Sequence, residues 1–388
     1  MSSTFDRPSI ERIYGSRFVD GNRVTLLHRG GDSFDAIFSS IGEARNLICL
    51  HFYIFRNDET GTEVADLLMR KAGEGVGVYV LYDHFGSYGT PRAFWDDLRR
   101  AGIRVKASRP FKWSSPFRYA HRDHRKLIII DGIRAFTGGL NIANEYRGFH
   151  LRMKRAAWRD TGIMLEGPVA FDLFGIFRKT WEIWKGEPIG NAGLPLSEPF
   201  HWSPGDGLPV IPIFASSAKG RRRMRKLLYY SINHAKETIF LTTAYFTPSR
   251  RMLDALEEAV KRGAEVKLLI PGKSDVPAAF YAGRAFFTRL LRAGVRIYAY
   301  QGDVLHAKNY TFDGCWSVVG SANLDFQSLR WNDEGNVGIL DAGFGRRMTE
   351  VFEEDLAHSI EIREEEWKNR PLPEKLLEKF FALFRRRL

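Results

Sequence analysis

The stretch that decides the fold is His124-Arg125-Lys126-Leu-Ile-Ile-Ile-Asp131, because its spacing of histidine, lysine and aspartate returns in His306-Ala307-Lys308-Asn-Tyr-Thr-Phe-Asp313. In each copy, six further residues separate the aspartate from a Gly-x-x-Asn segment, at 138–141 and 320–323. A β-strand turns alternate side chains to one face, so the histidine and lysine of each copy are predicted to point at one ligand. The matched spacing of the two copies argues against a chance occurrence.

The residues around the two motifs repeat as well. Each half of the chain runs through an apolar strand, a turn, a helical pattern, a glycine and a second apolar strand. These elements occupy 44–55, 62–71 and 76–81 in the first half and 235–246, 252–262 and 266–270 in the second. Short apolar strands that alternate with amphipathic helices predict an α/β fold in which helices cover the sheet. The chain is therefore predicted to be a duplicated domain.

Composition between the halves sets the domain boundaries. Residues 186–207 are rich in glycine and proline and lack hydrophobic periodicity. We predict a first domain over 1–190, a second over 208–370 and an amphipathic basic helix over 371–388. Apolar and basic residues alternate in that last segment at helical spacing, which is typical of a helix lying on an anionic membrane. A terminal helix docked on the body of the protein is the alternative.

The charge of the chain narrows its partners without choosing among them. The 388 residues carry a net charge of +12, which favours a nucleic acid or an acidic membrane surface. No stretch reaches the about 18 consecutive apolar residues that span a bilayer, and the N-terminus lacks a signal-peptide core. We therefore expect a soluble or peripheral protein that stays in the cytoplasm. Two cysteines, Cys49 and Cys315, are too few for a disulfide framework.

The residue types of the two motifs suit transfer of a phosphodiester. A neutral imidazole can attack phosphorus, and a second, protonated imidazole can donate to the leaving oxygen. Two ammonium groups and two side-chain amides can hold the other phosphate oxygens as charge builds on them. No metal or other cofactor is expected, because the lysines supply the positive charge. An exposed strand that happens to carry a His-Lys pair explains one copy, but not two.

Each histidine also needs an acceptor that fixes its tautomer. One acidic residue follows each motif in front of a strand-like run: Asp160 in the first half and Glu334 in the second. Asp333 is an alternative to Glu334, and a solvated surface acid is the alternative in both halves.

At these residues the sequence resembles the phospholipase D superfamily and, within it, the bacterial cardiolipin synthases. The resemblance covers residues from about 22 to 367. It rests on the motifs and on further strings, namely GGLNI at 138–142, WRD at 158–160, YFTP at 245–248, LHAK at 305–308 and GSANLD at 320–325. It implies a duplicated phospholipase D fold, in which two mixed β-sheets flanked by helices pack as a pseudo-dimer around one active site.

The resemblance also assigns roles to the motif residues. His124 is implied to be the nucleophile of a ping-pong reaction through a phosphohistidine, and His306 the general acid and base. Asp160 and Glu334 are implied to orient His124 and His306, respectively. The phosphate binders are implied to be Lys126, Lys308, Asn141 and Asn323. Asp131 and Asp313 complete the catalytic motifs and mostly act as structural supports in the family.

The reaction implied by the resemblance is phosphatidyl transfer between two phosphatidylglycerols, or to another alcohol-bearing lipid, with release of glycerol. The expected location is the cytoplasmic face of the bacterial inner membrane, with peripheral attachment to its anionic lipids. Two departures from the family pattern are Gly139, where serine is frequent, and the lack of the two N-terminal transmembrane helices that many members carry. An aromatic and basic segment at 111–119 is a second predicted contact with lipid.

Two other functions compete with this prediction. A phospholipase D-type phosphodiesterase or nuclease of the same superfamily would use the basic surface to hold a nucleic-acid backbone. Duplication within one chain, the string at 245–248 and the amphipathic tail make nucleic acid the less favoured partner. A catalytically idle membrane-binding protein is the third reading, and both motifs being intact argues against it.

Overall fold

The computed structural model describes residues 4–111, 121–148, 157–191, 194 and 207–385. Within them, each half of the chain is a mixed β-sheet with helices on its faces. The first half supplies β1 (Val19–Leu27), β2 (Leu47–Phe52), β3 (Gly77–Asp83), β4 (Arg104–Ser108), β5 (Leu127–Ile130), β6 (Arg134–Gly138) and β7 (Gly162–Glu166). The second half supplies β8 (Leu208–Ala215), β9 (Thr238–Thr242), β10 (Glu265–Pro271), β11 (Arg296–Tyr300), β12 (Asn309–Phe312), β13 (Trp316–Gly320), β14 (Glu334–Leu340) and β15 (Ser359–Ile362).

Several helices occur at corresponding places in the two halves, and the second half has additional ones. The first half has α1 (Arg7–Tyr14), α2 (Gly30–Glu43), α3 (Glu59–Gly73), α4 (Arg92–Arg100), α5 (Asn144–Arg147) and α6 (Pro168–Ile183). The second half has α7 (Ala218–His234), α8 (Arg250–Lys261), α9 (Pro277–Arg284), α10 (Phe287–Arg292), α11 (Phe326–Arg330), α12 (Ala342–Ala357), α13 (Glu364–Lys368) and α14 (Leu372–Ala382).

Strand order confirms the duplication. The first sheet runs β4-β3-β2-β5-β6-β7-β1 and the second runs β11-β10-β9-β12-β13-β14-β8, with β15 added outside β11. In each sheet, three neighbouring strands are parallel and the others are antiparallel. Because the two orders match strand for strand, each half contains the same α/β unit.

The two sheets meet at β1 and β8, which pair antiparallel through Val19↔Val210 and Asn22↔Leu208 with an irregularity between these pairs. The described strands therefore form one continuous order of 15. The halves also share an apolar core, in which Val24 and Leu165 of the first half lie in one cluster with Val319 and Val337 of the second. This arrangement is the pseudo-dimer that the resemblance implied.

Local sequence explains where the repeated helices begin. Asp58 caps α3 by accepting a hydrogen bond from the backbone N–H of Gly61 (2.9 Å), and Ser249 caps the equivalent α8 by accepting one from Met252 N–H (3.2 Å). An oxygen at this position satisfies one of the N–H groups that a helix start leaves unpaired. Gly75 and Gly263 follow the two helices with φ of 90° and 95°, which glycine adopts without strain.

Several predicted segments fall outside the described residues. The lipid-contact segment at 111–119 is described only at Phe111, and the boundary at 186–207 is described only at 186–191, 194 and 207. The domain limits 1–190 and 208–370 therefore stay predictions. The tail predicted at 371–388 contains α14, and 386–388 lie outside the described part. Among the described helices, none has both the length and the apolar character needed to cross a membrane.

Candidate active site

The two motifs meet where the halves of the chain contact each other. The backbone N–H of His124 donates to the carbonyl of Asp333 (2.9 Å), and the backbone N–H of His306 donates to the carbonyl of Arg159 (2.8 Å). The main chain of each motif is thus hydrogen-bonded to the segment of the other half that carries Glu334 or Asp160. One site results, with both histidines buried.

The motif histidines and lysines lie just before their strands and not within them. β5 begins at Leu127 and β12 at Asn309, one residue after the respective motif lysines. The prediction of a strand at the His-Lys pair was wrong because the segment before each strand bonds across to the other half. Histidine and lysine still lie together: Lys126 Nζ donates to the carbonyl oxygen of His124 (2.6 Å), and Lys308 Nζ donates to that of His306.

His124 has two acceptors at one ring nitrogen. Its Nδ1 lies 3.1 Å from Glu334 Oε2 and 3.1 Å from the carbonyl oxygen of Ser321. Because both neighbours can only accept there, the proton of the neutral ring is assigned to Nδ1, which leaves a lone pair on Nε2. The Tyr53 ring lies edge-on to the imidazole, with centroids 4.9 Å apart.

His306 has an acid and a lysine at the same ring nitrogen. Its Nδ1 lies 2.7 Å from Asp160 Oδ2 and 2.7 Å from Lys308 Nζ. Asp160 Oδ1 also accepts from the backbone N–H of Thr161 (2.7 Å). Three aromatic rings surround this imidazole, at centroid distances of 5.4 Å, 5.6 Å and 6.3 Å, from Tyr146, Trp158 and Tyr245.

The acids therefore cross between the halves, which corrects the expected pairing. Asp160 of the first half holds His306 of the second, and Glu334 of the second half holds His124 of the first. The prediction that each acid pairs with the histidine of its own half was wrong. Glu334 starts β14 and Asp160 precedes β7, and both acids face the motif of the other half. Asp333 is not the alternative partner, since its carboxylate binds Arg109 Nε (3.2 Å) and Arg221 Nη1 (3.1 Å).

Burial lowers the pKa of all four basic groups of the site. Desolvation, and next in size the positive charge of Lys308, lowers the pKa of His306 to about 4. Desolvation and the charge of Lys126 lower the pKa of His124 in the same way. Desolvation also lowers the pKa of Lys126 from 10.5 to about 7 and that of Lys308 to about 8, although Glu334 and Asp160 oppose the shift. Burial thus disfavours the protonated forms of these four groups. A bound anion would stabilise the protonated forms, so the site favours binding an anion.

The two asparagines are buried and held by their amide groups. Asn141 accepts from the backbone N–H of Ile54 (3.1 Å) and donates to the hydroxyl of Tyr146 (2.7 Å). Asn323 accepts from Thr243 Oγ1 and from the backbone N–H of Tyr245, both at 3.3 Å. In each case the oxygen is used to fix the side chain, so an amide hydrogen remains for a ligand.

Asp131 and Asp313 do not reach the histidines. They lie at the far ends of β5 and β12, with φ of 51° and 49°. Asp131 accepts from the backbone N–H groups of Asn46 and Leu47 (both 2.7 Å), and Asp313 binds the backbone N–H groups of 236–238 in the same way. Each carboxylate therefore anchors the start of the neighbouring strand, which is a supporting role and not a chemical one.

The glycine that departs from the family pattern has a steric cause. Ser321 Oγ donates to Glu334, and Gly139 occupies the equivalent place in the first half. A Cβ added at Gly139 would overlap the Asp160 carboxylate. The shorter acid sits closer to the main chain at this point, so only glycine leaves room for it. The first half thus combines glycine with aspartate, and the second combines serine with glutamate.

The aromatic lining of the site was not predicted from the sequence. Tyr53 comes at the end of β2 and Tyr245 comes shortly after the end of the equivalent β9. The hydroxyl of Tyr245 donates to Asp275 (2.8 Å), which places the loop after β10 beside the site. The alignment of 44–55 with 235–246 contained this signal, because Tyr53 and Tyr245 lie at neighbouring positions of the repeat. Among the described residues, no group of three or more His, Cys, Asp or Glu side chains could hold a metal ion.

Comparisons with known proteins identify the family of the chain. The sequence profile of the family described as "Cardiolipin synthase, PLD-like domain" matches residues 37–152 and 228–356. The chain is 34% identical over 346 residues to cardiolipin synthase A of Pseudomonas putida, covering 89% of this chain and 71% of that protein. It is 33% identical over 364 residues to cardiolipin synthase 2 of Bacillus cereus, covering 92% and 69%. The crystal structure of a phosphatidylserine synthase from Haemophilus influenzae superposes with a TM-score of 0.75 at 15% identity, covering 98% of this chain and all of the other, so that likeness is one of fold.

Proposed function

The chain belongs to the cardiolipin synthase family of phospholipase D-like proteins, and from this we propose that its site transfers a phosphatidyl group from one phosphatidylglycerol to another. The observation that carries the proposal is the pair of acceptors at Nδ1 of His124, which leaves Nε2 free to attack phosphorus. Each step below follows from the groups around the two imidazoles.

In the first step, His124 Nε2 forms a bond to phosphorus and the bond from phosphorus to the glycerol oxygen breaks. His306, protonated in the complex with the anionic lipid, gives its proton to that oxygen, and free glycerol leaves. The products are a phosphatidyl-histidine and a neutral His306. Asp160 stabilises the imidazolium form of His306 before transfer, because its carboxylate lies 2.7 Å from Nδ1.

In the second step, a hydroxyl of a second phosphatidylglycerol attacks the same phosphorus. Neutral His306 takes the hydroxyl proton, the bond between His124 and phosphorus breaks, and cardiolipin is released. Both enzyme groups return to their starting states. Water in place of the lipid would give phosphatidic acid, so the buried site with its aromatic lining favours transfer by excluding water.

Lys126 and Lys308 neutralise the charge on the non-bridging phosphate oxygens, together with the free amide hydrogens of Asn141 and Asn323. The bound phosphodiester anion raises the pKa of these buried ammonium groups toward their ordinary range. Substrate binding therefore recruits protons to the site, and no separate cation is needed for the charge balance of the steps above.

The proposed partner is an anionic phospholipid surface, phosphatidylglycerol above all, and the proposed location is the cytoplasmic face of the bacterial inner membrane with peripheral attachment. The net charge of +12 supports an acidic surface. Nucleic acid is the alternative anion, and a nuclease reaction would use the same two histidines.

The test is a product assay with purified protein and phosphatidylglycerol vesicles. We expect cardiolipin and glycerol in equal amounts, abolished in His124→Ala and retained in His358→Ala, an exposed histidine remote from the motifs. Single-stranded DNA is offered in a parallel reaction. Cleavage of DNA without any cardiolipin would replace the proposal by the nuclease, and equal activity of His124→Ala would remove the nucleophile assignment.

A further inference from the structure

The apolar side of α14 faces away from the protein. Leu376 is 66% exposed, Phe380 54% and Leu383 78%, and Leu372 and Phe384 are exposed as well. A terminal helix that packs on a soluble protein normally buries this side. An exposed apolar row of this length on a helix indicates an interaction surface.

The opposite side of α14, which holds the helix to the protein, carries a buried carboxylate. Glu378 is almost fully buried, and its carboxylate accepts from Arg284 Nε (3.0 Å) and from Arg370 Nη2 (2.6 Å). Both guanidinium groups also lie against the Trp367 ring, at 4.8 Å and 4.1 Å from its centroid. These contacts fix the orientation of the helix, in which most of the apolar residues point outward.

α14 is connected to the active site by its packing on α9. The two helices pack together, with the rings of Tyr281 and Phe381 stacked at 6.1 Å. α9 starts two residues after Asp275, whose carboxylate accepts from the Tyr245 hydroxyl beside His306. α14 is thus connected to the aromatic lining around His306 through α9, Asp275 and Tyr245.

A basic cavity of about 470 Å³ opens beside this helix. Among its lining residues are Arg222, Arg225, Lys226, Arg250, Arg251 and Arg330. Arg385, just past the end of α14, completes the lining, in which the described residues include no carboxylate. Within the described part of the chain, none of these bases forms an ion pair, so the cavity lacks an internal counter-ion.

The crowding of these basic side chains affects the pKa of Arg225. Burial, followed by the charges of Arg330 and other arginines, lowers the pKa of Arg225. Like charges held together without a partner are stabilised when an anion enters. The floor of the cavity adds the N-terminus of the 12-residue helix α8, which also favours negative charge.

We propose that the exposed side of α14 and this basic cavity form one docking surface for an anionic phospholipid bilayer. The apolar residues of α14 enter the acyl region, and the cavity takes the phosphate of a headgroup that is not the one being transferred. The inference rests on the proposed function only in that the substrate is a membrane lipid. Docking here would hold the active site at the bilayer that supplies the lipid.

Vesicle flotation in the His124→Ala background tests the apolar side without turnover. The double variant Leu376→Ser with Leu383→Ser is compared with Ile183→Ser with Ile360→Ser, which are similarly exposed and lie on α6 and β15. We expect the α14 variant to bind phosphatidylglycerol-containing phosphatidylcholine vesicles at least about tenfold more weakly, and the control to bind as the parent does. Unchanged binding of the α14 variant would overturn the proposal.

The cavity is tested by reversing charge. Arg222→Glu with Arg251→Glu is compared with Arg346→Glu with Arg347→Glu, an exposed pair on α12 that changes the net charge equally. We expect roughly tenfold weaker binding for the cavity variant on vesicles containing phosphatidylglycerol, and no difference between the two variants on pure phosphatidylcholine. Equal loss in both variants would show that only net charge matters and would contradict a defined site.

Two further measurements separate the possible sources of phosphate and the two proposals. If inorganic phosphate binds the parent but not the cavity variant, while vesicle binding is the same in both, the cavity is a site for free phosphate and the docking proposal fails. The variants in the His124-containing protein should keep their turnover of detergent-dispersed phosphatidylglycerol. If the unsubstituted protein, with His124 present, makes no cardiolipin, the proposed function fails, whereas flotation in the His124→Ala background still decides the docking surface.

Discussion

At the scale of single residues, the crossing of the two acids determines how the site works. Glu334 fixes His124 and Asp160 fixes His306, so each imidazole depends on the half of the chain to which it does not belong. A carboxylate at Nδ1 sets the tautomer and stabilises the imidazolium form. The two acids should therefore be separable by the step that each one supports.

Glu334→Gln and Asp160→Asn test this crossing. Each should lower kcat by roughly 10²–10⁴-fold, the range for loss of an oriented general acid or base. With a phosphatidyl ester of nitrophenol, whose leaving group needs no proton, Asp160→Asn should recover the first step and Glu334→Gln should not. The measurement is the burst of nitrophenolate, with the exposed Asp172→Asn on α6 as control. Rescue of Glu334→Gln alone would restore the same-half pairing.

The lysines predict a pH dependence of substrate affinity. Folded Lys126 and Lys308 lose their protons as pH rises through about 7 and about 8, so affinity for the phosphodiester should fall above neutrality and not near 10.5. Stability has the opposite sign, because the unfolded lysines bind more protons in this window and folding becomes more favourable as pH rises. KM in detergent micelles and the free energy of unfolding from urea titration measure the two effects. Affinity that stays constant to pH 9 would contradict the account.

The sequence predicts the residues of the site better than their contacts. Spacing alone identified His124, Lys126, His306 and Lys308, because a duplicated motif keeps its internal distances. It did not identify which acid serves which histidine, since a local pattern contains no information on which half a strand faces. Gly139 illustrates the same limit, because its need for space comes from Asp160, about 20 residues later in the chain and brought close by β6 and β7 pairing.

At the scale of elements, α14 shows what an amphipathic pattern predicts and what it leaves open. The pattern predicts the helix and its two sides, and both the membrane and the docked alternatives use those sides. The structure combines them, because the helix docks through Glu378 and Phe381 and exposes most of its other apolar residues. The sequence could not predict this, since one of the two arginines that hold the buried Glu378 carboxylate is Arg284, which lies about 90 residues earlier. The added strand β15 and the helix α9 likewise have no counterpart in the first half.

Glu378→Gln should release α14. The change leaves Arg284 and Arg370 without their buried partner, and breaking a buried ion pair costs about 3–5 kcal/mol. Amide hydrogen exchange in 372–382 should accelerate accordingly, while the two sheets keep their protection. Glu374→Gln, which removes a more exposed pair with the same Arg284, should cost only about 0.2–1 kcal/mol. Equal protection of α14 in both variants would show that Glu378 does not anchor the helix.

At the scale of the whole molecule, the duplication places a complete site in one chain. The sequence repeat predicted two equal units, and the matched strand orders confirm them. The continuous pairing of β1 with β8 was not predictable, because the irregular register between Val19 and Asn22 leaves no pattern in the sequence. The shared apolar core makes the two halves one folding unit around the site.

Mixing two inactive variants tests whether each chain acts alone. His124→Ala and His306→Ala each destroy one half of the site, and neither chain can supply the missing group to the other if both histidines of a site come from one chain. The mixture, refolded together or separately, should show no cardiolipin formation above either variant. Activity restored on co-refolding would mean that the halves exchange between chains.

The central claim is that one site, built crosswise by the two halves, transfers a phosphatidyl group through His124. The most direct test is to quench the protein under alkaline conditions during turnover of phosphatidylglycerol. Peptide mapping by mass spectrometry then locates any adduct. A phosphatidyl adduct is expected on the peptide that carries His124, and in the first turnover one glycerol is released for each adduct formed. An adduct on the His306 peptide, or steady cardiolipin formation with no adduct on either histidine, would contradict it.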